Sequence, residues 1–475
     1  MDLTTIIIFI LAFGGMVVIH ELGHFIAARW CGIEVEEFGI GLPTPGAITF
    51  WTSKGHFFLR NGKRIEIPAN FNVPLNWNKL VDHEVKISVD PVDARYILRS
   101  LEFVRYTETR QPSNSPLTTG HIHVNQNGDV VKPPESAEHA TSPELVKVGK
   151  GRGTEEFVEV VREVHPGTRF TLNWLPLGGF VRPKGENDPN VPGGLAAASP
   201  WRRLIVLVAG PLMNLLTAFL IYSFIVSRIG AYEIDKVLIS SVAPEGPAAQ
   251  AGFQAGDIFV TANGEPIENF SGLSAIIGSS EGQSVHFLVD RNGQQVELTA
   301  VPQMDKEMGR PIIGVGLTVP HRSTGSVMED LAWGARYTYN NIYALLSLPA
   351  KIISRTLPAE QSRLVGLKGI YDIMEYSVQQ GVEASASASP SQPFDWYIPT
   401  LEIIAALSIS LGVFNLFPFP ALDGGRILFV LPELITRRRV PAQFENLVHT
   451  LGMAFLLLLM LYVNVMDFVN PIDMP

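Results

Sequence analysis

Four predominantly apolar runs, at residues 3–28, 204–227, 401–418 and 447–465, stand out along the chain. Each is long enough for a helix crossing the roughly 30 Å hydrocarbon core of a bilayer. The second, "LIVLVAGPLMNLLTAFLIYSFIVS", carries no charge, and the third is broken at its end by Pro418 and Pro420. Between the first two runs the pattern changes to short alternating stretches. "RNGKRIEI" and "HVNQNGDVV" place Asn-Gly where a two-residue hairpin turn wants it. Residues 110–155, polar and rich in Pro and Ser, read as loop, and "ASASASPSQP" at 384–393 as a linker. "LAWGARYTYNNIYALLSLPAKII" at 331–353 reads as an amphipathic helix lying in the interface.

The predicted fold is therefore a polytopic α-helical membrane protein of about four spans with β-rich polar regions. Its divisions are a first span at 1–32, a β-rich region at 33–200, a second span at 201–228 and a small β domain at 229–320. An amphipathic helix and linker follow at 321–400, then the last two spans at 401–475. "MDLTT" lacks a basic leader and no A-x-A-like site follows the first run, so that run is expected to be an uncleaved anchor.

Charge orients the spans. Arg426 and the Arg437–Arg439 triplet lie between the third and fourth runs, Arg29 follows the first, and Arg202 and Arg203 precede the second. The positive-inside rule then puts 33–200 in the cytoplasm, and both termini and 229–400 outside the plasma membrane. The net charge of -10 offers no electrostatic footprint for nucleic acid. The single cysteine, Cys31, excludes an intrachain disulfide.

The chemistry sits in "VVIHELGHFIAA", residues 17–28. Ionisable groups inside an apolar span are costly and usually functional. His20 and His24 lie one helical turn apart on one face, able to share a metal ion, with Glu21 beside them to polarise a water. A catalytic zinc site usually has three protein ligands and an open position. The first and third runs cross in the same direction, so "NLFPFPALDGGR" at 415–426 reaches the depth of the histidines. Its Asp423 is the candidate third ligand; the alternative is a capping aspartate before Gly424-Gly425. His121 and His123, alternating onto one strand face, are a weaker second metal candidate.

These motifs resemble the site-2 protease family of intramembrane zinc metalloproteases, in its bacterial RseP-like branch with a PDZ domain. "AGPLMN" (209–214) is similar to the family's Gly-Pro-x-x-Asn, "LPLGGFVRPKGE" (175–186) to its edge strand near the active site, and "EFGIGLP" to the start of its membrane-dipping hairpin. The resemblance implies Zn2+ held by His20, His24 and Asp423, Glu21 as general base, and cleavage of membrane-spanning segments in regulated intramembrane proteolysis. It also implies substrate contacts at Asn415, Asn214, Leu177, Gly178 and Gly179, although a helix–helix hydrogen bond suits Asn214 equally well. "GPAAQAGFQAGDIFVTANGEPI" (246–267) resembles a circularly permuted bacterial PDZ domain, with extended peptides as partners or a size filter as its role. The implied partners are the lipid bilayer and membrane-protein substrates such as anti-sigma factors or signal-peptide remnants. Rival readings are a non-catalytic PDZ-bearing scaffold and a metal transporter. The hundred or so residues between Trp51 and Thr168 depart from the family, as does "RLVGLKGIYD" (363–372), which stands where relatives carry Ser-Gly-Pro-x-Gly.

Overall fold

A computed structural model describes residues 3–71, 77–93, 95–103, 123–124, 130–131, 155–186, 188–233, 235–305, 309–354, 364–387 and 395–471. The expected loop at 110–155 and the paired candidates His121 and His123 lie largely or partly outside them. The chain forms two compact units, one of residues 1–216, 355–388 and 407–475, the other of residues 217–354 and 389–406.

Among the described residues, four helices are long and apolar enough to span: α1 (Leu3–Trp30), α2 (Pro200–Ile229), and, after the intervening helices, Ile398–Leu416 and Ala442–Val469. In the first unit α1 leads into β1 (Val35–Leu42), β2 (Ile48–Thr52), β3 (Gly55–Leu59) and β4 (Arg64–Ile67). Then come β5 (Glu84–Val92), β6 (Arg95–Phe103), the small pair β7 (His123–Val124) and β8 (Val130–Val131), and β9 (Glu155–His165). β10 (Arg169–Leu172) and β11 (Leu175–Pro183) precede α2.

β1, which holds most of "EFGIGLP", and β2 do not pair with each other. β10 lies between them in a four-stranded sheet ordered β11-β1-β10-β2, parallel to β1 and antiparallel to β2. β11 is an edge strand of this sheet, antiparallel to β1 with Phe180 opposite Gly39. The unassigned insertion closes into a barrel, β3-β4-β6-β5-β9, with β4 and β6 parallel. Alternate residues Phe57, Leu59, Ile65, Ile87, Leu98 and Val161 fill its core, fully removed from water. Asn61-Gly62 does turn the chain between β3 and β4, through a four-residue loop rather than a two-residue one.

The second unit holds β12 (Ala231–Tyr232), β13 (Val237–Val242), α3 (Pro247–Ala251), β14 (Ile258–Ala262), β15 (Glu265–Pro266) and α4 (Phe270–Ser279). β16 (Val285–Arg291), β17 (Gln294–Ala300), β18 (Gln303–Asp305), β19 (Arg310–Ile312), β20 (Val315–Thr318) and β21 (His321–Arg322) follow. Its main sheet runs β17-β16-β14-β13-β20, so the last long strand closes onto the first and forms one edge. Asn263-Gly264 and Asn292-Gly293 both have positive φ, the conformation that tight hairpin turns need. Phe253, Phe259 and Phe287 pack as a triangle of rings 5.5–5.7 Å apart in its core. Burial pushes the fully buried Asp257 carboxyl up, but Arg291 grips both its oxygens at 2.7 Å and the Gln254 N–H adds a bond. The net effect holds it below its ordinary value.

α5 (Val327–Ile353) begins on a Ser326 cap and covers the expected amphipathic helix. The linker expected from 384 is corrected: a helix α6 (Leu367–Ser387) runs through Ser387. Its buried stripe of Tyr371, Met374 and Val378 has helical spacing. The N-terminus of α6 is capped from the last span, where buried Asp467 accepts the Gly366 and Gly369 N–H groups and Asn464 accepts that of Leu367. α7 (Ile398–Leu416), α8 (Asp423–Thr436) and α9 (Ala442–Val469) complete the chain. The connection between the last two spans is thus itself helical.

Candidate active site

His20, Glu21 and His24 lie on α1, and Asp423 opens α8. α7 stops at Leu416, the chain passes Pro418 and Pro420, and Ala421 takes a left-handed φ of 79° before α8 begins. A Cβ on Gly424 would stand 2.1 Å from the Phe417 carbonyl oxygen, so only glycine lets α8 start this close to the end of α7. This return brings Asp423 to the histidines: its Oδ2 is 3.1 Å from His20 Nε2 and 3.3 Å from His24 Nε2. The two Nε2 atoms are 3.1 Å apart.

The remaining ring nitrogens are engaged from α2. His24 Nδ1 donates to the Val206 carbonyl at 2.7 Å, which fixes the tautomer and leaves Nε2 with a free lone pair. His20 Nδ1 faces the Asn214 amide at 3.2 Å. Turning that amide over sets Oδ1, otherwise a buried acceptor without a donor, to accept from Nδ1 and frees His20 Nε2 in the same way. Asn214 is fully buried behind His20 and is not among the residues lining the cavity. Ser408 Oγ on α7 donates to its carbonyl at 2.9 Å, which joins the third helix to this arrangement.

Gly210 of "AGPLMN" gives His24 its room. A Cβ there would lie 2.3 Å from His24 Nε2. Glu21 is tied to the edge strand, its Oε2 accepting the Val181 N–H at 3.1 Å. Asn415, in the last turn of α7, lines the same cavity of about 330 Å³. From β11 the wall is Phe180, Val181 and Pro183. Leu177, Gly178 and Gly179 are displaced from it: Gly178 and Gly179 lie against Val17 and Val18 of α1.

His20, His24 and Asp423 are the one three-residue set of possible metal-binding side chains among the described residues. Two ligands on a tetrahedral ion with bonds of about 2 Å sit roughly 3.3 Å apart. The observed separations and the N,N,O donor set fit zinc. Sequence reasoning missed Gly210, the Val206 carbonyl, and the ion pair that Arg426, three residues after Asp423, makes with Glu186. In the sequence Arg426 counts only as a topology charge, although a cation so near an intramembrane carboxylate is itself a signal.

Peptidase family M50 matches residues 8–59 and 155–459, leaving most of the barrel insertion outside the matched stretches. Zinc metalloprotease RasP of Oceanobacillus iheyensis is 27% identical over 471 residues, 97% of this chain and 98% of that one. The regulator of sigma-W protease RasP of Bacillus subtilis is 25% identical over 98% of both chains. The PDZ domain of an SdrC-like protein from Listeria monocytogenes is 26% identical over 18% of this chain and 88% of that one, at a TM-score of 0.17. The family pattern covers most of every span and includes each residue of the metal-binding set, and the chain belongs to peptidase family M50.

Proposed function

We propose that this chain, a zinc metalloprotease of family M50, hydrolyses peptide bonds in the membrane-spanning segments of other proteins, with His20, His24 and Asp423 as its zinc ligands and Glu21 as its base. The observation that carries this is the convergence of two Nε2 atoms and one carboxylate oxygen beside a fourth, strand-tethered side chain, the Glu21 carboxylate. When bound, zinc supplies Lewis acidity toward water and the scissile carbonyl. Glu21, held by the Val181 N–H, is positioned to take a proton from water and return it to the departing amine. Asn415 and the wall of Phe180 and Val181 are placed to hold an extended stretch of substrate. A non-catalytic scaffold has no need of Glu21 in that position.

Arg29, Arg202, Arg203 and the Arg437–Arg439 triplet support an orientation with these ends in the cytoplasm and the second β domain outside. That domain reads as a PDZ module: β20 forms an open edge, and a groove of about 660 Å³ beside α4 is lined by Phe270, Ser274, Arg310 and Leu317. Its occupant would be an extended peptide.

Metal analysis and cleavage of a reconstituted substrate test the assignment together. One zinc per chain is expected, lost in His20→Ala and Asp423→Ala. Glu21→Gln should keep the zinc and lose at least ~100-fold in turnover, the scale of general acid–base catalysis. Stoichiometric zinc in a His20→Ala/His24→Ala double variant would sink the ligand assignment.

A further inference from the structure

The zinc chemistry leaves one ionisable residue of the last span unused, His449 of α9. Such a group in an apolar run is costly and usually functional. Its Nδ1 accepts the Ala421 N–H at 2.8 Å, so in the neutral ring the proton sits on Nε2. Nε2 is buried and meets no acceptor among the described residues, so the bond to Ala421 is the one that the ring makes there. Phe429 of α8 packs on the same ring, with ring centres 5.6 Å apart.

The residue so bonded is the strained one. Ala421 holds its φ of 79° in the left-handed region that only glycine enters freely, two residues before Asp423. α8 starts on Leu422 without a side-chain cap, so no cap of its own holds this turn. The rest of the turn follows α9. A Cβ on Gly452 would lie 2.4 Å from Pro420 Cβ and 2.7 Å from the Pro420 carbonyl oxygen. Phe455 meets Phe419 with ring centres 5.8 Å apart. Phe419, Pro420 and Ala421 are thus matched, in reverse order, by Phe455, Gly452 and His449, three positions spaced three residues apart along α9.

We infer that His449 is a positioning residue for Asp423. α9 contributes no ligand, yet it is the surface on which the Phe419–Ala421 turn is shaped, and the bond to Ala421 keeps that turn in its strained form. Without the bond Ala421 is free to relax towards ordinary backbone angles, which swings Asp423 away from His20 and His24, now 3.1 and 3.3 Å from it. The inference rests on Asp423 as the third zinc ligand, and it makes zinc affinity depend on how α9 sits against the turn.

Competition with a chelator on the purified full chain reads that affinity without reference to turnover. His449→Phe keeps a ring against Phe429 and removes the acceptor, and its zinc affinity should fall by ~10–100-fold, the range for partners that orient metal ligands. His449→Asn, whose side-chain oxygen can stand where Nδ1 stands, should recover most of this loss although it fills less space. Gly452→Ala, which sets a methyl group against Pro420, should lose affinity to a similar degree. Leu451→Ala, on the exposed side of the same helix, should bind zinc as the wild type does. Wild-type affinity in His449→Phe, with only its metal-free unfolding temperature lowered, would mark a merely structural contact and overturn the inference. His449→Asn binding as weakly as His449→Phe would overturn it too, because the acceptor would then not matter. If His449→Phe fails to fold, wild-type affinity in Gly452→Ala decides against the inference. Loss of zinc in Asp423→Ala alongside any of these results confines the failure to His449, whereas wild-type affinity in Asp423→Ala would overturn the ligand assignment and this inference together.

Discussion

At the scale of single residues, the site depends on what is missing from Gly210. His24 is fixed at Nδ1 by the Val206 carbonyl, so its ring cannot swing away from a side chain that intrudes. A methyl group at 210 would fall 2.3 Å from Nε2, inside any permitted contact, and must push the ring out of the Asp423 array. Gly210→Ala, though it favours helix, is therefore expected to lose zinc and about 100-fold in turnover, the usual result of a displacement near 1 Å. Wild-type zinc and turnover in that variant would show that α1 and α2 separate freely there. The four central residues were legible in the sequence because an ionisable group inside an apolar run carries a desolvation cost that only a function repays. His20, Glu21 and His24 interrupt the first run, and Asp423, just beyond the third, is the single acidic residue between Glu402 and Glu433. Asn214 was legible as a polar interruption, yet its direction was not. Whether an amide faces a cavity or a neighbouring ring depends on helix rotation, which an almost uniformly apolar segment does not encode. Phe180 and Val181 escaped for a related reason, since strand alternation alone does not tell which side of β11 faces α1.

Elements differ in how far their making is local. α6 was hidden by the composition of its last turn, although Tyr371, Met374 and Val378 carry its buried stripe in plain helical spacing. The barrel could not have been read at all. Its closure requires β4 to pair in parallel with β6 and β9 to return to β3 after a long interval, and such pairings leave no mark in local periodicity. The second β domain was the most legible element, because its Asn-Gly turns, its short helix and its strands are each set by neighbours in sequence. One ion pair there makes it sensitive to acid. Asp257 is held below its ordinary value, so it binds fewer protons folded than unfolded near pH 4. Its stabilising contribution is complete above the unfolded carboxyl value of about 3.9 and is lost as pH falls through the lower folded value. Amide protection in β14 and β16 should therefore hold from pH 7 to pH 5 and decline below about pH 4. Asp257→Asn should remove that decline and cost about 1.5–3 kcal/mol at neutral pH. Unchanged acid sensitivity in Asp257→Asn, followed by hydrogen exchange, would place its origin elsewhere.

For the whole molecule the deciding property is orientation. Every element of the proposed chemistry gathers at the ends of α1, α7 and α8 that the arginines mark, whereas the second β domain lies between α2 and α7 in the chain. With α7 as a single crossing between them, an orientation that puts Arg437–Arg439 in the cytoplasm would also put the β domain outside, and one assignment would fail with the other. Cys31 is the single cysteine, so replacing it yields a background in which one introduced thiol reports one position. On intact cells, an impermeant thiol reagent should label a cysteine at Gln283, in an exposed turn of the β domain. It should leave a cysteine at Arg438 untouched until the membrane is permeabilised. The reverse pattern would move the zinc cavity to the outer face and place the substrate bonds within its reach at the opposite end of their spans. Labelling at both positions would show that the Arg-rich turn is not held in the cytoplasm, and would remove the charge argument on which the orientation rests.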